Sequence, residues 1–145
     1  MSVRTRPALV ADAAPISGLM TELGYGFDEA SLAEKLQVSQ SDYRAQAFVA
    51  VEDDRVVGVV SLGIMPLFHA EGSLGRITSL IVTESSRAHG AGKLLVAAAE
   101  RYAWEHGCAK IEVTSSDHRK VAHDFYATLD YNVDEQRFSK DRPPG

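Results

Sequence analysis

Cysteine is almost missing from this chain: Cys108 stands alone among 145 residues. No intramolecular disulfide can form, and neither a C-x-x-C pair nor a Cys/His cluster suggests a metal site. None of the five histidines (His69, His89, His106, His118, His123) belongs to an H-E-x-x-H pair. His118 and His123 are spaced so that one helix face would not hold both. Basic runs are missing too: Lys+Arg 15 against Asp+Glu 20 leave a formal charge of −5, which suits neither nucleic acid nor an anionic membrane. The longest apolar stretch, residues 56–68, is interrupted by Gly58, Gly63 and Pro66 and is well short of the roughly 20 residues of a spanning helix. The opening residues lack the apolar core of a signal peptide. These absences predict a cytoplasmic protein with no metal, nucleic-acid or membrane partner.

What is present is a globular composition, 45% apolar and 24% charged, in a length that suits one domain. Residues 1–140 read as that domain and 141–145 as a loose tail. A first strand is predicted at 3–6. Asp12 then reads as the N-cap of a helix with Pro15 in its first turn, with Ile16, Leu19, Met20 and Leu23 on one face and Gly24 as its stop. A shorter helix follows at 31–38, with Leu32 and Leu36 together. Strands at 46–52 and 55–67 flank a turn at Asp53-Asp54. A loop leads to a central strand at 76–82. The helix at 90–105 should turn Ala91, Leu94, Leu95, Ala98 and Tyr102 inward and pack Trp104 against the sheet. A strand at 110–115, a helix at 118–129 and a last strand within 132–139 complete the order β-α-α-β-β-β-α-β-α-β. Early hairpins and late crossovers predict an α/β architecture, a mixed sheet with helices on both faces.

The segment at 80–93 is the most informative. A buried strand ends at Val82, a short polar loop follows, and Gly90 and Gly92 open a helix. Glycines let backbone N–H groups approach an anion, the helix start adds positive partial charge, and Arg87 and Lys93 add full charges. A nucleoside-triphosphate P-loop does not fit, because Arg87 stands where its first Gly belongs and Leu94 where Ser/Thr belongs. The dinucleotide fingerprint fails for want of a third glycine, since Leu95 occupies that position. The plain alternative is a pair of glycines that only shape a strand-to-helix turn.

Arg87-Ala88-His89-Gly90-Ala91-Gly92 resembles the Arg/Gln-x-x-Gly-x-Gly/Ala signature of the GNAT superfamily of N-acetyltransferases. Residues 122–131 (AHDFYATLDY) are similar to that family's late Ala-x-x-Phe-Tyr-x-x-Leu-Gly-Phe/Tyr helix, and the element order is that of its fold, with splayed central parallel strands. The resemblance covers nearly the whole chain and implies acetyl-CoA as donor and an amine as acceptor. It places the pyrophosphate on Arg87, Ala88, His89, Gly90, Ala91, Gly92 and Lys93. The pantetheine arm would lie along Leu80, Ile81 and Val82 like an added strand, with a backbone N–H near Leu80 or Ile81 polarising the thioester carbonyl. Tyr126 is implied as the general acid for the departing thiolate, protonated at neutral pH by virtue of a pKa of about 10. Arg119 replaces the Asn frequent at its position, and a cation there can reach phosphate. Asp130 replaces the usual Gly and tolerates a left-handed cap. A homodimer is common for this resemblance.

The expected activity is acetyl transfer to a primary amine by direct attack in a ternary complex. The rivals are a CoA-binding sensor without turnover, a protein N-terminal or lysine acetyltransferase, and a structural domain that binds no CoA. Glu71, Glu112 and Asp124 are conceivable bases, and Cys108 reads as a small buried hydrophobe. Glu22, Asp28, Glu29 and Glu34 make the first two helices acidic, which favours a cationic small amine, aminoglycoside-like or polyamine.

Overall fold

Asp53 and Asp54 both take positive φ, 53° and 62°, as a hairpin turn matched to the twist of its strands requires. The turn lies inside a sheet described, with the rest of the chain, by a computed structural model covering residues 2–114, 120–133 and 138–144. Contacts divide the chain into two units after Thr114. The first unit holds β1 (Val3–Pro7), α1 (Ala13–Glu22), α2 (Glu29–Ser39), β2 (Ala45–Glu52), β3 (Arg55–Pro66), β4 (Ser73–Val82), α3 (Ala91–Glu105) and β5 (Cys108–Val113). The sheet runs β1-β2-β3-β4-β5, antiparallel except for the parallel pair β4 and β5.

Alternation along the strands builds two cores. Val49, Val51 and Val59 pack with Ile16, Leu19, Leu32 and Leu36 of α1 and α2. The intervening residues face α3: Phe48 meets Tyr102 edge-on at 5.8 Å, and a Cβ on Gly58 would come within 3.0 Å of Leu95. Helices thus cover both faces, as expected for a mixed sheet.

Several local expectations are corrected. Asp12 does not cap α1. Its buried carboxylate accepts from the Leu9 N–H at 2.7 Å and from Arg6 at 2.8 and 3.0 Å, closing a 3₁₀ turn at Val10–Asp12. The second helix is longer than its apolar pattern, because Asp28 caps it by accepting from the Ser31 N–H at 3.0 Å. On α3, Leu95, Val96, Ala98, Ala99 and Ala103 are buried, whereas Leu94 and Trp104 are 40% and 50% exposed. Trp104 follows Ala103, whose Cβ lies 3.3 Å from where a Gly75 Cβ would stand. The helix approaches the sheet too closely there for an indole.

The second unit carries α4 (Lys120–Thr128). Its end is a Schellman motif: the Tyr131 N–H donates to the Tyr126 carbonyl at 3.0 Å and the Asp130 N–H to that of Ala127 at 3.1 Å. Asp130 holds φ at 69° in the position that favours glycine. The expected last strand has its centre at 134–137, outside the described residues, and 131–133 and 138–140 carry no strand. Among the described residues no helix is long and apolar enough to cross a membrane.

Candidate active site

The two halves of β4 have different neighbours. Ser73 to Ile77 pair with β5, ending at Ile77↔Val113. Beyond Ile77, β4 pairs among the described residues with β3 alone, from Ser61↔Ser79 to Gly58↔Val82. Within an antiparallel ladder, alternate residues turn both N–H and C=O toward the partner strand. The Thr83 N–H donates to Val57 at 2.9 Å, so Ile81 also faces β3, while Leu80 and Val82 turn their backbone groups to the open side. Of the two donors considered from sequence, only Leu80 presents its N–H there.

The loop beyond β4 winds as a 3₁₀ turn over Glu84–His89, which includes Ala88, and passes through Gly90 at φ 82° into α3. A Cβ at Gly90 would meet nothing within 4 Å, so the space beside this helix start is open. Ala91 is fully buried and anchors the first turn. Gly92 is half-buried, and Lys93 is exposed. The exposed Arg87 reaches back, its Nε donating to the Val82 carbonyl at 3.2 Å, one of the groups on the open side. Cations, helix N–H groups and open space together fit an anionic phosphate group. Arg119 lies outside the described residues.

Beneath the loop sits a residue that sequence reasoning missed. Glu52, at the end of β2, is 7% exposed. Its carboxylate accepts from Ser86 Oγ at 2.7 Å and meets His89 Nδ1 at 2.8 Å. The Ser86 hydrogen bond, then that of His89, holds the Glu52 pKa below the usual carboxylate range against the opposing effect of burial. The signal was available: Phe48, Ala50 and Glu52 alternate along β2 onto the face that packs α3. At the loop's start, Thr83 Oγ1 donates to Glu22 at 3.2 Å.

Two cavities flank this end of the sheet. One, of about 300 Å³, lies between α1, α2 and β2–β4 and reaches Thr78 and Ser79, the first residues past the β4–β5 pairing. Its walls include Ile16, Met20, Leu32, Leu36, Val59 and Leu62, and Lys35 is the one charged lining residue among those described. The other, of about 680 Å³, mixes Arg6, Asp12, Glu22, Asp54 and Arg55 near Thr83 and Ser85.

Of the conceivable bases, Glu112 is ion-paired with Arg76, which also donates from Nε at 3.1 Å, and Glu71 is exposed. Burial pushes the Cys108 thiol pKa up, away from reactivity. In the second unit, Tyr126 lies edge-on to Phe125 and Tyr131 at 5.1 and 5.8 Å. Burial raises its pKa, so its phenol holds its proton. Among the described residues, no three His, Cys, Asp or Glu side chains are grouped to hold a metal ion.

The pattern described as the acetyltransferase (GNAT) family matches residues 16–131. The aminoalkylphosphonate N-acetyltransferase of Salmonella typhimurium is 30% identical over 122 residues, 84% of this chain and 77% of that protein. A solved acetyltransferase of Trypanosoma brucei superposes with a TM-score of 0.81 at 23% identity, over 97% of this chain and 100% of that one. An aminoglycoside acetyltransferase from an uncultured soil sample, solved with trehalose, gives 0.80 at 19% identity, over 99% and 97% of the two chains.

Proposed function

Because the chain belongs to the acetyltransferase (GNAT) family, and is thereby an N-acetyltransferase, we propose that it moves the acetyl group of acetyl-CoA to the primary amine of a small molecule by direct attack in a ternary complex. One observation carries this reading. The strand that among the described residues pairs on one edge only at 78–82 runs directly into the loop whose helix start, cations and open space suit a pyrophosphate. The family match also runs across the division after Thr114, which supports reading 1–140 as one domain.

Acetyl-CoA supplies an activated thioester when bound. The chain's own groups do the rest. The outward backbone of Leu80 and Val82 pairs with an extended arm as an added strand would. The Leu80 N–H donates to the thioester carbonyl oxygen, where negative charge develops as the amine attacks. Arg87, Lys93 and the first N–H groups of α3 hold the pyrophosphate. Tyr126, assigned by its motif and held protonated by burial, gives its proton to the departing thiolate. The amine must arrive or become neutral, since an ammonium has no lone pair, and the N–H proton it loses on acylation passes to solvent, from which the Tyr126 phenol is reprotonated.

The apolar cavity at Thr78 and Ser79 suits the acceptor. Among the described residues its lining offers a polyamine no carboxylate: Asp28 caps α2, Glu22 holds Thr83, and Glu29 and Glu34 are exposed elsewhere. Lys35, together with the relative that acts on aminoalkylphosphonates, supports a small amine with an apolar body and an anionic end.

A CoA-release assay over aminoalkylphosphonates, amino acids, uncharged alkylamines, polyamines and an aminoglycoside, run beside a calorimetric acetyl-CoA titration, tests the reading. Binding with no transfer to any amine favours a sensor instead. With the accepted amine, Tyr126→Phe should lower kcat at saturating acetyl-CoA by about 10²–10⁴-fold and leave donor affinity unchanged. A kcat within about threefold of wild type removes Tyr126 as the acid.

A further inference from the structure

We propose that Glu52 is a positioning residue for donor binding: from beneath, it fixes the end of the phosphate loop through Ser86 and His89. This rests on the reading that the loop takes acetyl-CoA. Glu52 belongs to β2, far in sequence from the loop, and its two carboxylate oxygens are divided between two loop residues. Oε1 takes the Ser86 hydroxyl at 2.7 Å, and Oε2 takes His89 Nδ1 at 2.8 Å. Ser86 is 2% exposed, so the first bond is sealed from water. A buried carboxylate is costly unless hydrogen-bonded, and among the described residues its two hydrogen-bond partners are both in the loop.

The position of the bonds matters as much as their strength. The start of the loop is held by Thr83 on Glu22 and by Arg87 on the Val82 carbonyl. Its end is held by Glu52, through His89, the residue just before the left-handed Gly90. A loop fixed at both ends presents its N–H groups without first being ordered by the ligand, and that preorganisation tightens binding.

The sign of the charge makes the role testable. A carboxylate beneath an anion site repels a pyrophosphate, so charge alone predicts that neutralising Glu52 strengthens acetyl-CoA binding. Positioning predicts the reverse. Bonding to Nδ1 also fixes the imidazole's orientation and leaves Nε2 as the other edge of the ring.

Glu52→Gln and Ser86→Ala are to be compared with wild type by calorimetric titration with acetyl-CoA. Alongside, kcat and donor KM are measured for acetyl-CoA and for S-acetylpantetheine, which lacks the pyrophosphate. Glu52→Gln is expected to raise the acetyl-CoA Kd about tenfold, to leave kcat at saturating donor within about twofold, and to leave the S-acetylpantetheine KM unchanged. Ser86→Ala keeps the charge and loses one bond, so it should give a smaller rise in the same Kd and again spare S-acetylpantetheine; it decides the matter if Glu52→Gln does not fold. Unchanged or tighter acetyl-CoA binding in both variants overturns the proposal, as does an equal loss for both donors. A wild-type protein that binds no acetyl-CoA removes the reading of the loop itself, and this proposal with it.

Discussion

Among the described residues, the lower half of β4, Ser73 to Ile77, has a strand on each side, and the upper half, residues 78–82, has one on the β3 side only. The difference is one of backbone pairing, although the lower half also carries Gly75 and Arg76 where the upper has neither glycine nor charge. Where both edges are paired, N–H and C=O groups are spent on the sheet. Beyond Ile77↔Val113, the last pair among the described residues, the backbone groups of Leu80 and Val82 turn away from β3, the Val82 carbonyl toward Arg87. On the proposed reading, one strand serves as scaffold in its lower half and as binding surface in its upper half. The loop that follows inherits its position from the paired half and its orientation from the open half.

Proline separates these roles most sharply. Leu80→Pro removes an N–H that faces the open edge, so the β3 ladder is spared. It should lower kcat by about 10²–10³-fold, the usual cost of losing one oxyanion donor, with a small fall in Tm. Ile81→Pro removes a bond to β3 and should do the opposite, with Tm falling far more than for Leu80→Pro. Equal thermal losses in the two variants would mean that the alternation assigned to 80–83 is wrong. Next in size is Arg87→Ala. Loss of a charge-assisted phosphate contact should weaken acetyl-CoA binding about 10- to 150-fold, less at high salt because screening weakens the wild-type contact. A change below about threefold would confine Arg87 to its bond with Val82.

Much of this region was legible in the sequence, and the exceptions have physical reasons. The Gly90 pattern and the fitness of Asp130 for a left-handed cap were readable because positive φ restricts residue choice locally. Tyr126 is proposed through a motif, not through geometry. The ion pair of Asp12 with Arg6 was hidden because an acid before an apolar helix reads equally well as a cap. Leu94 and Trp104 were misplaced because a helix turns each residue well away from its neighbour, and the close approach at Ala103 and Gly75 decides which faces inward. Glu52 was missed because its partners, Ser86 and His89, lie far along the chain. Of the acids in the first two helices that suggested a cationic acceptor, Glu22 lines the larger cavity, while among the described residues the apolar cavity has Lys35 as its charged lining residue.

The smallest expected effect belongs to the brace just below the point where the halves of β4 diverge. Arg76 and Glu112 are register partners, one step before the last pair Ile77↔Val113, and their side chains form an ion pair with each 34% exposed. At that exposure water screens the charges, and such pairs contribute about 0.2–1 kcal/mol. Arg76→Gln and Glu112→Gln should therefore each lower Tm by no more than roughly 4 °C. The double variant should lose less than the sum, since each single change already removes the pair. Catalysis provides the sharper comparison. Glu112 was a conceivable base from sequence, but a carboxylate held by Arg76 through this pair serves the paired half of the strand. Both variants should keep kcat/KM within about twofold at every pH where the enzyme is folded, because neither touches the open half. If Glu112→Gln instead lost more than tenfold in kcat with its Tm unmoved, and Arg76→Gln did not, Glu112 would be the base that deprotonates the amine, and the boundary between scaffold and site on β4 would have to be moved below Ile77.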